Sequence, residues 1–278
     1  MSTPDKSTDE KIEEVLETCR SYGTSSIIAL AGVPGTGKSH IGSIAAQRLA
    51  SELLLVREVQ FHPSFTYEEF IEGLRIDHTG AVTVFPGAFL EWNDQAHDDP
   101  DHHYVLLIEE LTRANVSAAL GELLTYVEHR DRQFLTIYSR RPVKVAGNLT
   151  VIATYNPTDR SAIDMDAALL RRLRVITFPP SLQQLREMLQ SRGLGANVID
   201  KLRDMFERVK ERHADDYEHL MPFGHGLFAE IRQESPDLNR LWEERLRHFL
   251  YRPLIEPHPF AASIEDNYPW RKPDFIVP

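Results

Sequence analysis

Residues 32–39 form a glycine-rich loop whose residue types and spacing suit the binding of phosphate groups. They read Gly-Val-Pro-Gly-Thr-Gly-Lys-Ser, which satisfies the pattern Gly-x-x-x-x-Gly-Lys-Ser/Thr, and they follow the apolar run Ile27–Ala31. The glycines let successive backbone N–H groups converge on one phosphate, and the helix expected to begin there adds partial positive charge. Lys38 would place a full charge beside the β- and γ-phosphates, and the Ser39 hydroxyl would bind magnesium. We therefore expect ATP or GTP with Mg²⁺, contacted by one continuous set of residues: Gly32, Val33, Pro34, Gly35, Thr36, Gly37, Lys38, Ser39 and His40.

Two adjacent carboxylates follow a second apolar run, Tyr104–Ile108, and supply further groups that phosphate hydrolysis needs. We expect Glu109 to bind magnesium and Glu110 to act as the general base that orients the attacking water. The usual order at such a strand end is Asp then Glu, and Glu109 is one methylene longer than Asp. Its carboxylate is therefore expected to be positioned less tightly, which would affect the hydrolysis rate more than nucleotide binding.

Short apolar runs alternate with amphipathic segments over most of the chain before residue 180. Runs that are apolar at every position are typical of strands in a parallel sheet covered on both faces. These runs are Ile27–Ala31, Leu53–Val56, Tyr104–Ile108, Leu149–Ala153 and Val175–Phe178. Helices are expected at Ser39–Leu53, Asn115–Glu128 and Ser161–Leu173. The alternation predicts an α/β fold with a doubly wound parallel sheet, whose binding crevice lies at the carboxyl ends of the strands.

Four segments are expected along the chain. They are a helical extension at 1–25, an α/β core at 26–180, a helical lid at 181–252 and a proline-rich tail at 253–278. Within the core, 65–92 and 134–145 carry turn residues and are expected to form loops and hairpin insertions. After Pro179 and Pro180 the apolar runs stop and helical periodicity begins, which sets the expected start of the lid. The tail is expected to wrap the surface or pack on the lid, with partner binding as the less favoured alternative.

The composition limits the classes of function. The chain has 278 residues with 31 Lys and Arg against 42 Asp and Glu, so its formal net charge is −11. This excess of acid disfavours a protein that coats nucleic acid, although a local basic groove is still allowed. Cys19 is the only cysteine, which excludes an intramolecular disulfide and a cysteine-based zinc cluster. Without a secretory signal or an apolar run of about 20 residues, we expect a cytoplasmic protein with no membrane partner.

The segment 93–103 is rich in Asp and His, which raises the question of a metal site. Its side chains show no regular ligand spacing, and a polar run before a buried strand is more often a solvated loop. We therefore expect a loop here, with a metal cluster as the less favoured alternative.

Four further elements, in the same order along the chain, resemble motifs of McrB-type AAA+ proteins, a group related to MoxR-like and dynein-related AAA domains. They are Val59–Gly73 after the second strand, Glu110–Asn115 with Gly121–Thr125, Thr154–Ser161 with Asp166–Arg172, and Gly-His-Gly-Leu-Phe at 224–228. The family has Asp-Glu-Ile-Asn-Arg at the second of these elements and Gly-His-Ser-Tyr-Phe at the fourth. At the two parts of the third element it has Asn-Thr-Ala-Asp-Arg-Ser and Leu-Arg-Arg-Arg-Phe. The resemblance runs from about Ile27 to Pro253 and implies a P-loop NTPase with an AAA+ core and a helical lid.

The resemblance also implies roles for individual residues. Members of the family work as rings, usually hexamers, with the nucleotide between subunits. Asn156 matches the sensor that reaches the γ-phosphate or its water, and Arg171 and Arg172 match the arginine-finger region that completes the neighbour's site. The alternative for the two arginines is favourable charge at a helix C-terminus. Arg113 and Arg160 are expected at the subunit interface.

These inferences point to an oligomeric nucleoside triphosphatase that acts as a motor or remodeller. The first hypothesis is the McrB-like motor of a DNA restriction or defence system, partnered by a McrC-like nuclease and contacting DNA through its pore or its partner. The second is a MoxR-like chaperone that activates a client protein. The third is a nucleotide-gated scaffold that barely hydrolyses, which Glu109 suggests. About 25 residues precede the first strand, so we expect a motor without a DNA-reading domain of its own.

Overall fold

The computed structural model describes residues 6–159, 162, 165, 167–213, 221–232, 234–251 and 256–270. The strands in these residues are β1 Ile27–Ala31, β2 Val56–Gln60, β3 Glu72–Ile76, β4 Val82–Pro86, β5 Tyr104–Glu109, β6 Phe134–Leu135, β7 Pro142–Val143, β8 Leu149–Tyr155 and β9 Leu173–Thr177. The α-helices are α1 Thr8–Tyr22, α2 Lys38–Leu49, α3 Tyr67–Phe70, α4 Ala88–Asp98, α5 Val116–Leu120, α6 Leu123–Tyr126, α7 Ala167–Arg172, α8 Leu182–Ser191, α9 Ala196–Arg212, α10 Glu234–Leu241, α11 Arg247–Leu250 and α12 Ala261–Asn267. Shorter 3-10 turns lie at Leu53–Leu55, Leu111–Arg113 and His225–Glu230, and a π-helical turn at Trp242–Leu246.

The chain divides into two compact units. The sheet unit contains 9–31 and 38–177, and the lid unit contains 32–37 with the described residues of 1–8 and 178–278. The boundaries of the four segments expected from the sequence stay a prediction.

Five parallel strands form the central sheet, in the order β2–β5–β8–β1–β9. Strand β8 comes late in the chain but lies between β1 and β5, pairing Ile152 with Ile28 and Ala153 with Ile108. This order confirms the predicted doubly wound parallel sheet. Because parallel strands share their carboxyl edge, it also brings the acidic pair after β5 next to the residues that follow β8.

The burial of the strands follows their position in the sheet. Every residue of β1, β5 and β8 is buried, as expected for strands covered on both faces. The edge strands β2 and β9 leave part of their side chains exposed. The strand predicted at Leu53–Val56 was misplaced: Leu53–Leu55 forms a 3-10 turn in which Leu53 and Leu54 are exposed, and the strand begins at Val56.

The helix predicted at Asn115–Glu128 is interrupted at Gly121. Its φ of 49° lies in the left-handed region, which ends α5, and α6 starts afresh at Leu123. A side chain at this position would also meet the ring of Tyr67, since an added Cβ would lie 2.6 Å from its Cε2. The break is therefore set by a tertiary contact that local helical periodicity does not report. Of the helix predicted at 161–173, the described part is α7.

Part of the segment predicted as a polar loop at 93–103 is helical. Helix α4 runs to Asp98 and buries Trp92 and Asn93, while its acidic residues face outward. The buried Asn93 donates its side-chain amide to the carbonyl of Lys144 at 2.9 Å and accepts the N–H of Ala146 at 2.8 Å. A helix with so polar an outer face is hard to distinguish from a loop by composition alone.

Two hairpins interrupt the α/β alternation, as the turn residues predicted. Strands β3 and β4 lie between α3 and α4 and pair Leu74 with Val84 and Ile76 with Val82. The second hairpin joins β6 to β7, with Phe134 opposite Val143. The buried carboxylate of Glu72, at the base of the first hairpin, accepts the N–H groups of Tyr138 and Ser139 from the second at 2.7 and 2.9 Å.

The lid unit has its own apolar core around α8, α9 and the later helices. Phe260, Ile264, Tyr268 and Trp270 belong to this core. The Tyr268 ring stacks on Trp242 with centroids 5.0 Å apart, and its hydroxyl donates to the carbonyl of Leu238 at 2.8 Å. The described part of the C-terminal tail therefore packs on the lid helices.

No helix among the described residues is long and apolar enough to cross a bilayer.

Candidate phosphate-binding and hydrolytic site

The glycine-rich loop at 32–37 has a backbone that side chains would disrupt. Gly35 and Gly37 adopt φ values of 80° and 83°, which residues with a Cβ rarely reach. A Cβ on Gly32 would lie 2.5 Å from Oγ1 of Thr36, whose hydroxyl donates to the carbonyl of Val33 at 3.0 Å. The loop is therefore bare of side chains where successive N–H groups can face an anion, which fits a phosphate.

A turn of the lid unit packs directly on this loop. The N–H groups of Gly224 and Gly226 donate to the carbonyls of Pro34 and Gly35 at 2.7 and 2.6 Å. A Cβ on Gly224 would lie 2.4 Å from the oxygen of Gly35, so the approach needs glycine. Both bonds engage carbonyl oxygens, so they do not compete with a phosphate for the N–H groups of the loop. The intervening His225 is buried and accepts the N–H of Ser181 at its Nδ1.

Ser39 and Glu109 lie in hydrogen-bonding contact in the sheet unit. The Ser39 hydroxyl donates to Oε2 of Glu109 at 2.8 Å, and the hydroxyl of Thr154 donates to the same oxygen at 2.5 Å. Glu109 is buried while Ser39 is exposed. The expectation of a loosely positioned carboxylate is therefore wrong, because two donors fix it. A hydroxyl and a carboxylate that converge in this way are the hard oxygen ligands that Mg²⁺ prefers, so the residues fit the metal.

Lys38 begins α2 and is buried, with 7 % of its surface exposed. Burial lowers the pKa of its ammonium group, and the nearby carboxylates of Glu110, Glu109 and Asp159 oppose that shift. A buried ammonium is costly unless opposite charge faces it. The three carboxylates meet part of this need, and a bound phosphate would meet more. His40, the next predicted contact, is exposed on the first turn of α2.

Glu110 has an unusual backbone. Its φ of 59° and ψ of 43° place a non-glycine residue in the left-handed region, a strain that is retained at functional sites. The hydroxyl of Thr154 accepts its N–H at 3.2 Å. Its carboxylate lies 3.4 Å from Nε of Arg113, which is also 4.0 Å from a carboxylate oxygen of Asp159. The predicted base is therefore held by an arginine of its own chain.

Asn156 directly follows β8, at the edge of the sheet where Glu109 ends β5. Its side-chain amide donates to Asp159 at 3.0 Å and accepts the N–H and hydroxyl of Thr158 at 3.1 and 2.9 Å. The amide is thus engaged in its own turn, so reaching a γ-phosphate would require Asp159 to release it.

The two predicted finger arginines lie together on α7, facing Glu128. Nη2 of Arg171 and Nε of Arg172 are 3.5 and 3.4 Å from the same oxygen of Glu128. The Arg171 side chain is 66 % exposed, whereas that of Arg172 is 13 % exposed and donates to the carbonyl of Ala168. Of these two arginines, Arg171 therefore has the more exposed side chain. Arg160, the other predicted interface arginine, lies outside the described residues.

Sequence reasoning missed the part played by Thr154 and Asp159. Thr154 contacts both Glu109 and the N–H of Glu110, and Asp159 faces Lys38, Arg113 and Asn156. A polar threonine in an otherwise apolar run is the sequence signal that could have identified Thr154. The position of Asp159 depends on the turn after β8, for which no spacing rule exists.

The histidines of the 93–103 segment have other partners. His97 lies 2.8 Å from the carbonyl of Lys144, His102 pairs with Asp99 at 2.7 Å, and His103 contacts Thr150 at 3.0 Å. Across the part of the chain that the structure describes, no three His, Cys, Asp or Glu side chains are grouped to hold a metal ion. The less favoured alternative of a metal cluster has no support in these residues.

Comparisons with known proteins identify the family of this chain. Residues 27–173 match the family model of the AAA domain, dynein-related subfamily. The chain is 28% identical over 259 residues to the McrB subunit of the type IV methyl-directed restriction enzyme of Escherichia coli (strain K12), a match over 88% of this chain and 55% of that protein. The crystal structure of NtrX from Brucella abortus is similar at TM-score 0.48 and 13% identity, over 95% of this chain and 69% of that one. This chain spans little more than half the length of that McrB subunit. Because the family model matches more than half of this chain, the chain belongs to the dynein-related subfamily of AAA domains, and so to the AAA+ P-loop NTPases.

Proposed function

We propose that this chain binds ATP or GTP with Mg²⁺ at residues 32–40 and hydrolyses the terminal phosphate. The observation that carries the proposal is the contact between Ser39 and Glu109 beside the buried Lys38. Ser39 and Glu109 would hold the magnesium ion, which neutralises phosphate charge when bound. Lys38 would face the β- and γ-phosphates, and the loop N–H groups would hold them in place.

Glu110 is the group that we assign to the water. Its carboxylate accepts a proton from water in the hydrolytic step, and its strained backbone fixes the direction in which the side chain leaves the strand. Nε of Arg113 lies 3.4 Å from this carboxylate, so Glu110 must turn away from Arg113 to act as a base. Asn156 must likewise exchange Asp159 for the reacting phosphate or its water.

We assign the reaction to a ring of subunits, most simply a hexamer. The exposed guanidinium of Arg171 is available to a neighbouring subunit, where it would stabilise charge on the transferring phosphoryl group. Arg172 stays with Glu128 and Ala168 of its own chain and keeps α7 in place. Arg171 is therefore the finger in this proposal, and Arg172 is its support.

The ring would serve as the McrB-like motor of a DNA restriction or defence system. The likeness to a restriction-enzyme subunit supports this assignment. A McrC-like nuclease would then be the effector subunit, and DNA would be contacted through the ring pore or through that partner.

A second candidate is a MoxR-like chaperone that remodels a client protein. The observation that favours it is the hairpin β3–β4, which exposes the apolar side chains of Leu74, Ile76 and Val82. Exposed apolar surface of this kind is typical of contact with another polypeptide. The third hypothesis, a scaffold that barely hydrolyses, loses support because Glu109 is firmly held.

The experiment is phosphate release from ATP and GTP in parallel, with magnesium, for the wild type and two variants. Lys38→Ala should lose nucleotide binding, and Lys144→Ala, which removes an exposed lysine, is the matched control. Stimulation of turnover by duplex DNA with a McrC-like subunit would support the restriction motor, and stimulation by a client protein alone would support the chaperone. Equal turnover in wild type and Lys38→Ala would overturn the proposal.

A further inference from the structure

A cavity of about 390 Å³ opens on the sheet unit between α3, α5 and the turn that joins β6 to β7. Its lining includes two tyrosines, two glutamates and an isoleucine: Tyr67, Glu68, Glu122, Ile137 and Tyr138. No Lys, Arg or His lines it among the described residues. The nucleotide chemistry proposed above uses none of these side chains.

The two tyrosine rings give this cavity aromatic walls. Their centroids lie 6.5 Å apart with the planes tilted by 58°, so the rings are too close to hold a third planar group between them. One ring face can still receive a planar cation from the side. Burial and the adjacent Glu122 raise the pKa of Tyr67, and the hydrogen bond to Glu68 raises that of Tyr138, so both phenols stay neutral.

The carboxylates give the cavity a negative charge. The Tyr138 hydroxyl donates to Glu68 at 2.5 Å, and that bond lowers the pKa of Glu68, which keeps it ionised. One side-chain oxygen of Glu122, Oε2, is buried without a hydrogen-bond partner in the part of the chain that the structure describes. The Tyr67 hydroxyl also hydrogen-bonds to the Glu122 carboxylate, so Glu122 supplies negative charge in the wall of the cavity beside Tyr67.

The cavity is rigid before anything binds. The buried Glu72 accepts the N–H groups of Tyr138 and Ser139, and the Ser139 hydroxyl at 2.6 Å. The ring of Tyr67 fits against Gly121, whose missing side chain leaves the space for it. A pre-formed pocket loses little conformational entropy when a ligand enters.

The two hairpins next to the cavity expose apolar side chains. Leu135 and Ile137 are exposed on the β6–β7 hairpin, and Leu74, Ile76 and Val82 are exposed on the β3–β4 hairpin. Strands β3 and β4 form a sheet without a third strand among the described residues, so an extended chain can add to its outer edge.

We propose that this surface docks an extended polypeptide segment in which an arginine, flanked by apolar residues, enters the Tyr67–Tyr138 pocket. A guanidinium is planar, so it can stack on a tyrosine and at the same time donate to the exposed carboxylate of Glu68. A lysine would pair with the carboxylates but would not stack. Nucleic acid phosphates would be repelled by Glu68 and Glu122 in the pocket, so the proposal excludes DNA as its occupant. The docked segment would belong to the client of the remodeller proposed above, yet its binding needs no nucleotide turnover.

The test is fluorescence anisotropy with the full chain in the absence of nucleotide. The probes are a labelled peptide of alternating arginine and valine, the same peptide with glutamate for arginine, and single-stranded and duplex DNA. Glu68→Gln and Tyr138→Ala alter exposed pocket residues, and Glu17→Gln is the control, because it removes one exposed carboxylate on α1. Thermal unfolding of each variant verifies the fold.

The arginine peptide should bind the wild type, and each pocket variant should weaken it by about threefold, the effect of one cation–π contact or one exposed charge. Glu17→Gln should leave the affinity unchanged. Equal loss in Glu17→Gln would show attraction by net charge alone and overturn the pocket, as would preferred binding of the glutamate peptide or of DNA. Lys38→Ala should bind the peptide as the wild type does, so the pocket and the proposed nucleotide chemistry can fail separately.

Discussion

The hydroxyl of Ser39 lies 2.8 Å from Oε2 of Glu109, so the first turn of α2 and the acidic end of β5 are joined by one hydrogen bond. Strand β8 lies between those two strands and contributes Thr154 to the same oxygen. The longer glutamate side chain spans the width of an intervening strand and still reaches Ser39. The extra methylene, which suggested loose positioning, is therefore compatible with a carboxylate oxygen held by two donors.

Glu109→Asp should therefore weaken function although it restores the residue that the family has here. The shorter side chain withdraws the carboxylate by about one bond length, which breaks contacts worth roughly 1.5–3 kcal/mol to a charged group. We expect the magnesium concentration for half-maximal nucleotide binding to rise by about tenfold. This concentration is measured by titrating magnesium into the protein with a fluorescent nucleotide, and Glu58→Asp on β2 is the control. An unchanged or lower magnesium requirement would show that the reach of Glu109 is not used.

Gly224→Ala should break the contact between the lid turn and the phosphate loop. An added Cβ would lie 2.4 Å from the oxygen of Gly35, so one of the two backbones must move, at a cost of about 1–3 kcal/mol. We expect a lower melting temperature and weaker nucleotide binding. Gly147→Ala is the matched control, since its Cβ would meet nothing within 4 Å. If both variants melt at the wild-type temperature, the turn does not hold the loop.

Arg171→Ala and Arg172→Ala should have different effects. Arg171 is exposed, so its loss should leave stability within about 0.5 kcal/mol of the wild type while abolishing nucleotide-dependent assembly. Arg172 is nearly buried against Glu128, and its loss should lower the free energy of unfolding by about 2 kcal/mol. Urea unfolding and sedimentation with a non-hydrolysable nucleotide measure the two effects. The assignment would be reversed if Arg171→Ala destabilised the monomer and Arg172→Ala only prevented assembly.

The stability should fall on acidification because of His103. Burial and the nearby Arg130 lower the pKa of its imidazole in the folded chain, so the unfolded chain binds the proton more readily. The free energy of unfolding should therefore decrease as the pH drops below about 6.5 and level off below the folded pKa. In His103→Gln this part of the pH dependence should disappear from urea unfolding curves. His102, whose pKa is raised by Asp99, acts in the opposite direction but is exposed, and His102→Gln serves as the comparison.

Features that depend on local sequence could be predicted. The glycine loop, its preceding strand and the carboxylate pair follow from spacing and hydropathy within a few residues, and so does the buried face of α1 with Ile12, Val15, Leu16 and Cys19. Burial raises the pKa of Cys19 to about 12, which fits a thiol without a chemical role. The alternation of strands and helices was sufficient to predict the parallel sheet.

Features that depend on contacts between residues distant in sequence could not be predicted. The shared bonding of Thr154 and Ser39 to Glu109 follows from the position of β8 in the sheet, which hydropathy does not encode. The break at Gly121 reflects the ring of Tyr67, and the helical course of Ala88–Asp98 is masked by its acidic outer face. The packing of Gly224 on Gly35 joins residues far apart in sequence, for which no spacing rule exists.

The most direct test of the proposed chemistry is phosphate release by Glu110→Gln compared with the wild type, at saturating magnesium with ATP and with GTP. Glutamine keeps the size of the side chain but cannot accept a proton from water, so nucleotide binding should be retained while turnover falls by about a hundredfold or more. Glu17→Gln, which removes an exposed carboxylate from α1, should retain full turnover. Equal rates in Glu110→Gln and the wild type, or no turnover of either nucleotide by the wild type with any partner, would contradict the assignment of this site to nucleotide hydrolysis.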